Sequence, residues 1–296
     1  MHAVGVLEAG LCRAVLITYG HSAYSSDSMW KMLVSRNSDD AVFGHFGATA
    51  GYALAARRAM FEFGTGPDTW VHIATGQRKW ANLNPRAVMY RQPMADEDYY
   101  GSPWVVEPFR RVDNCLVTDG GRAIVVTTLE RARDLKHPVV TIMGLGMHNP
   151  SAEVTAAHHL AGPTGAKEAA KTAFRMAGIG LDDVDACEIY DCFTYTVEIT
   201  LQDYGFFGRG EGKDWLADGT IAPGGRMPVN TSGGLLSEAY HMGLTPISEA
   251  VMQLMRRCGE RQLSPETGMK TYPEIILCSD NGGILQTHAC YILRRW

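Results

Sequence analysis

No apolar run in this 296-residue chain reaches the roughly 18 residues that a membrane-spanning helix requires. Positive charge is not in excess either. Lys and Arg number 27 against 32 Asp and Glu, a net charge of −5, so nothing in the charge balance favours nucleic acid or an anionic membrane surface as a partner. Paired cysteines are missing. Seven stand singly, at Cys12, Cys115, Cys187, Cys192, Cys258, Cys278 and Cys290, and none has CxxC spacing. This argues against a disulfide framework and a structural zinc site, and for a reducing compartment, expected to be the cytoplasm. No metal site is expected, and the His158-His159 pair in its polar stretch reads as solvated surface. There is no P-loop. GLGMHNP follows an apolar run but lacks the third glycine and the downstream acid of a dinucleotide fold. The first twenty residues hold Glu8 and Arg13, with no basic lead and no cleavage site, and so do not read as a signal peptide.

What the chain does have is alternation. Met1 to Gly10 reads as the tail of an amphipathic helix, closed by Gly10, and CRAVLITYG as a buried strand. From His21 to Asp113 the pattern turns irregular and aromatic, with a helix at ATAGYALAARRAMFEFG and helical stretches at Thr69–Asn82 and Ala95–Tyr100. An excursion of this length is expected to be a lid or an interface. Its aromatics (Trp30, Phe43, Phe46, Trp80, Tyr99, Tyr100, Trp104) suit a bulky acyl group or a subunit contact equally. AIVVTTLE and VVTIMGLGMH return to strand, and GAKEAAKTAFRMAG is a strong helix with Gly178 at its end. CEIYDCF is a short buried strand, TVEITLQDYGFFG and PISEAVMQLMRRC are helices, and EIILCSD and ILQTHACYILRRW are the final strands. Apolar strands alternating with helices predict an α/β fold, a parallel or mixed sheet covered on both faces.

The segment VNTSGGLLSEAYHMG predicts a buried strand, a glycine turn and a helix carrying Tyr240 and His241. Such turns present backbone N–H groups to ligands. On its residues alone, a tyrosine after a buried strand is ordinarily a core residue with its hydroxyl satisfied.

Five segments carry a resemblance that runs across nearly the whole chain: FGHFGATAGYALAARR, VVEPFRRVDNCLVTDGGRAIVV, EIYDCFTYTVEITLQDYGFFGRGEG, VNTSGGLLSEAY and DNGGILQTHA. Together they resemble the thiolase superfamily. The likeness is narrower to its lipid-transfer-type branch, which holds the sterol-carrier thiolases and the aldolases of bacterial steroid side-chain breakdown. The resemblance implies layered α/β/α halves. Residues 137–296 would be the complete second half, 1–20 and 114–136 a remnant of the first, and 21–113 a loop region for substrate or interface. The family's nucleophilic cysteine opens the helix whose tail is Met1 to Gly10. Cys12 follows that helix and does not inherit the role. A truncated first half is the expectation, since an uncovered half-sheet exposes strand edges.

Two positions depart from classical thiolases. IYDCF places Tyr190 where those enzymes keep an asparagine, and A-Y-H places Tyr240 where they keep a histidine. The steroid aldolases are similar to this chain in both. No acid or base role is assigned to Cys278 or Ser279. The resemblance implies retro-aldol cleavage of a β-hydroxyacyl-CoA, of steroid side-chain type, to a ketone and a shorter acyl-CoA. A phenol with a reference pKa of about 10 can donate a proton, or accept one through a relay. Tyr240 is expected to take the hydroxyl proton and Tyr190 to supply the enolate, or the reverse. Asp191 and His241 are the neighbours able to tune them, although Asp191 reads equally as an N-cap and His241 as pocket wall. Backbone N–H groups at Gly282 and Gly283 would hold the thioester oxygen. His45 would line the channel or bond locally. A CoA thioester is implied as substrate, with no permanently bound cofactor. A homodimer and a small partner with an oligonucleotide-binding-type fold and a zinc ribbon are implied as assembly. The alternatives are an acyltransferase with its cysteine in an upstream segment, a non-catalytic acyl-CoA- or lipid-binding subunit, and a degenerate scaffold.

Overall fold

Strand formation follows the apolar runs, and the computed structural model, which describes residues 1–26, 42, 47–151 and 156–296, places them in three sheets. In chain order the strands are β1 (Ala14–Ser22), β2 (Trp104–Val106), β3 (Phe109–Arg110), β4 (Asp119–Thr127), β5 (Val140–His148), β6 (Ala186–Glu188), β7 (Ile275–Gly282) and β8 (Thr287–Arg295). The central sheet has the order β5-β8-β7-β6. Only β6 and β7 run parallel, with Cys187 opposite Leu277, and the other pairings are antiparallel. The expected mixed sheet is therefore present.

Alternation along β7 divides the core. Ile276 and Cys278 face one side with Ala186 and Leu293, against Ala250 and Leu254 of the helix Leu244–Leu254. Leu277 faces the other side with Cys187, Cys290 and Ile292. There the sheet is covered by the helix Gly165–Ala177, capped by the Thr164 hydroxyl and ended by Gly178 at φ 69°. That helix buries only small residues, Gly165, Ala166, Ala169, Ala170 and Ala173, so its backbone lies very close to β5. A Cβ on Gly144 or Gly146 would sit 2.2 or 1.8 Å from the carbonyl oxygens of Ala173 and Ala169. Glycine is thus required there for close approach, and Gly146→Ala would push sheet and helix apart.

The aromatic excursion is built into this core, which a detached lid would not be. Trp70, on the helix Pro67–Asn82, is fully buried and donates its indole N–H to Glu198 at 2.8 Å. Trp80 is fully buried too and donates to the Ile221 carbonyl at 2.8 Å. Tyr99 donates to Asp113 at 2.9 Å, and the Thr194 hydroxyl reaches the same carboxylate oxygen at 2.7 Å. Tyr100 and Trp104 stay exposed. Trp30, Phe43, His45 and Phe46 lie outside the described residues.

One expectation fails. The run CRAVLITYG does form β1, but as half of an antiparallel two-stranded ribbon with β4, in which Leu16 and Val125 are each 64% exposed. A β-branched run determines that a strand forms. Burial needs a second layer, and the ribbon's neighbours among the described residues, such as the helices His2–Glu8 and Leu244–Leu254, leave much of it uncovered.

Candidate active site

β6 ends at Glu188, and the chain from Ile189 to Phe193 leaves the sheet beside the segment 228–231. The two are stitched together. Val229 bridges Cys187 in parallel, the Asn230 amide donates to the Cys187 carbonyl at 3.0 Å, and the Ile189 amide donates to Asn230 Oδ1 at 2.6 Å. Below them the Thr231 amide and hydroxyl both donate to Glu188 Oε1, at 3.1 and 2.8 Å. That hydroxyl also meets Glu249, which accepts a two-pronged bond from Arg261 at 2.8 and 2.9 Å.

The expected strand, turn and helix of VNTSGGLLSEAYHMG proves shorter than read. The strand is the single Val229 bridge, and the helix is one turn, Gly234–Ser237. Tyr240 lies beyond it in non-helical chain. Two left-handed glycines, Gly233 at φ 103° and Gly234 at φ 63°, make the turn. Asp191 holds it in place. Its fully buried carboxylate accepts the amides of Leu235 and Leu236 at 2.8 and 3.1 Å. The capping reading of Asp191 is therefore right in kind but wrong in target, because the capped turn is the one leading to Tyr240. Burial pushes this carboxyl up to about 7, against the two amides that favour its charge.

The two phenols meet. Tyr190 Oη and Tyr240 Oη are 3.0 Å apart, although the residues are 50 positions apart in the chain. Tyr190 is 6% exposed, and Tyr240 is half-buried. Burial pushes both phenols up, and Cys192 and Cys115 beside Tyr190 add to its shift. Both are neutral at pH 7. The neighbouring thiols of Cys192 and Cys115 are pushed up as well, again by burial, that of Cys192 to about 12.

The turn Asn281-Gly282-Gly283 lies next to this pair. Asn281 donates its amide to the Tyr190 carbonyl at 3.4 Å and accepts the buried Tyr52 hydroxyl at 2.6 Å. Gly282 closes the β7–β8 ladder opposite Thr287, and Gly283 starts the turn at φ 55°. His241 points elsewhere. Its Nδ1 accepts from Arg122 Nε at 3.0 Å, which places its proton on Nε2, and that nitrogen has no partner among the described residues and lies 2.5 Å from where a Gly120 Cβ would be. Burial, then the Arg122 charge, hold it below the ordinary histidine range. His241 thus packs against β4 instead of reaching the phenols through its ring.

Cys278 is fully buried on the opposite face of β7, and the Ser279 hydroxyl accepts the Tyr190 amide at 3.2 Å. His288 is core, its Nε2 3.1 Å from the Leu285 carbonyl. Among the described residues no group of three or more His, Cys, Asp or Glu is placed to hold a metal ion, and no helix is long and apolar enough to cross a membrane. Sequence reasoning missed Cys115, Cys192, Tyr52 and Asn281. Two had a signal, since Cys192 stands two residues after Tyr190 in IYDCF and Asn281 opens NGG. Tyr52 looked like one more apolar position of its helix.

Residues 146–295 match the family model described as thiolase C-terminal domain-like. The chain is 39% identical over 203 residues to the "Steroid side-chain-cleaving aldolase" of Thermomonospora curvata, covering 67% of this chain and 52% of that one. It is 39% identical over 206 residues to the "17-hydroxy-3-oxo-4-pregnene-20-carboxyl-CoA lyase" of Mycobacterium tuberculosis, covering 68% and 53%. A solved structure named "Ltp2-ChsH2(DUF35) aldolase" superposes with a TM-score of 0.86 at 30% identity, over 99% of this chain and 75% of that one. The chain belongs to the thiolase superfamily, on the side of its steroid side-chain-cleaving aldolases. It spans about half the length of these two curated relatives.

Proposed function

We propose that the chain cleaves a β-hydroxyacyl-CoA by a retro-aldol reaction, giving a ketone and a shorter acyl-CoA, with a steroid-like side chain as the group released. The observation that carries this reading is the direct hydrogen bond between the Tyr190 and Tyr240 hydroxyls.

A phenol held neutral by burial is a poor base on its own. A pair of them is not so limited. Tyr240 accepts the proton of the substrate's β-hydroxyl while its own proton moves to Tyr190 Oη, and Tyr190 delivers its proton to the enolate carbon. The Cα–Cβ bond breaks and its electrons enter the thioester enolate, while the hydroxyl carbon becomes the ketone. One proton leaves substrate and one returns, so neither phenol has to stay ionised. The reverse assignment balances equally with the hydrogen bond reversed. Asp191 acts by setting the turn that aims Tyr240. The amides at Gly282 and Gly283 are proposed to hold the thioester oxygen, which carries the enolate charge. His45 is proposed either to line the channel or to bond locally.

A thiolase carries the acyl group on a thiolate. The thiols flanking the phenols, Cys115 and Cys192, are held protonated. A homodimer and a small partner protein are proposed on the resemblance, and the exposed β1–β4 ribbon suits a subunit contact.

The test is incubation of the full chain with a steroid β-hydroxyacyl-CoA, with and without an oligonucleotide-binding-fold partner, followed by mass spectrometry. Ketone and shorter acyl-CoA in equal amounts are expected. Acyl exchange with free CoA and no ketone would instead indicate an acyltransferase. Binding without turnover would indicate a carrier subunit.

A further inference from the structure

Tyr240 stands between the helical turn Gly234–Ser237 and the helix Leu244–Leu254, so neither its N–H nor its C=O belongs to a helical ladder. Polar main-chain groups at a partly buried site need partners. One side chain serves both. Thr118, the residue before β4 and 8% exposed, accepts from the Tyr240 amide at 3.0 Å and donates to the Tyr240 carbonyl at 3.3 Å through a single hydroxyl. Four residues on, Arg122 binds the chain on either side of Tyr240. It donates Nε to His241 at 3.0 Å and ion-pairs through Nη2 with Glu238. The end of the ribbon nearest the site therefore grips the peptide that carries Tyr240.

The geometry points to Thr118 as a positioning residue for the cleavage: its hydroxyl sets the main chain of Tyr240 and so the aim of the phenol at Tyr190. This rests on the functional reading above. A small rotation of the main chain is amplified at the far end of the side chain. A misplacement of about 1 Å costs on the order of 10²-fold in rate.

Thr118→Val keeps the shape and removes both hydrogen bonds, whereas Thr118→Ser keeps them. With the full chain and a β-hydroxyacyl-CoA, Thr118→Val is expected to lower kcat by about 10²-fold with KM within about twofold, and Thr118→Ser to stay within about threefold of the parent. Amide hydrogen exchange across residues 238–243 is expected to quicken in the valine variant and not in the serine variant. If the valine variant does not fold, Thr118→Cys takes its place, because a thiol is a weak hydrogen-bonding group. Three results would each overturn the assignment: kcat of the valine variant within about threefold of the parent, a serine variant as slow as valine, or unchanged exchange. Tyr240→Phe is run beside them. Full turnover in that variant removes the functional reading, and the exchange measurement still judges the Thr118 clamp.

Discussion

Replacing the two phenols singly and together separates their energetic coupling from their packing. Tyr240→Phe removes the hydrogen-bond partner of the Tyr190 hydroxyl, on a side chain 6% exposed. An orphaned buried donor of this kind costs about 1–3 kcal/mol. Tyr190→Phe leaves the Tyr240 hydroxyl, which is half-buried and can turn to water, so its cost is nearer the ordinary net value of a hydrogen bond, about 0.5–1.5 kcal/mol. The double variant removes both partners, and removal of both is close to neutral. The stability order is therefore parent and double variant near each other, Tyr190→Phe below them and Tyr240→Phe lowest. Urea unfolding reads these differences as shifts in midpoint at constant slope. Turnover runs differently. Each single variant is expected to lose about 10²–10⁴-fold, and the double variant about as much as the worse single one, because members of one relay are not additive. Stability losses that simply sum in the double variant would refute the coupling. Rate losses that multiply would refute the relay.

Gly234→Ala is expected to lower stability by more than about 3 kcal/mol or prevent folding, because a strained left-handed position and a buried clash fall together; its Cβ would lie 2.2 Å from Asp191 Oδ2 at φ 63°, and a thermal melt near the parent's would count against that account. Asp280 is pushed up to about 7 by burial, whereas an unfolded aspartate ionises near 3.9. The folded state therefore holds a proton that the unfolded state has lost, and this contribution is full below about pH 4 and disappears as pH rises through about 7. Thermal melts of Asp280→Asn should fall less steeply than the parent's across that window, and parallel curves would exclude Asp280 as a source. The same sign applies to the raised phenols above pH 10: unfolded tyrosines ionise first, so alkaline stability should fall less in the double Phe variant.

The sheet and its two covering helices were legible because their signals are local. The helix ending at Gly178 has its cap, apolar face and left-handed glycine within a single stretch. Meeting of Tyr190 and Tyr240 was legible only through resemblance, because no spacing rule connects residues from separate crossings of a sheet. β1 was misjudged because hydrophobicity reports a need for cover and not whether cover is present. Trp80 and Tyr99 fit lid or interface material in sequence, because an aromatic on a short helix of such an excursion looks the same whether it fills the core or lines a surface. Thr118 carried no signal. Its place depends on the chain at Tyr240 leaving the helical path, and the strong apolar pattern of LLSEAY hid that departure.

The stitching of Ile189 to Asn230 and of Cys187 to Val229 has a consequence for how the site tolerates change. Both phenol-bearing arms spring from one knot at the sheet's edge, so the gap between the hydroxyls is indifferent to the length of chain joining them. Residues grafted at the exposed bend around Gly224 would lengthen that path and leave the two oxygens facing each other. A change at the knot itself, even of one side chain such as Asn230, would part them.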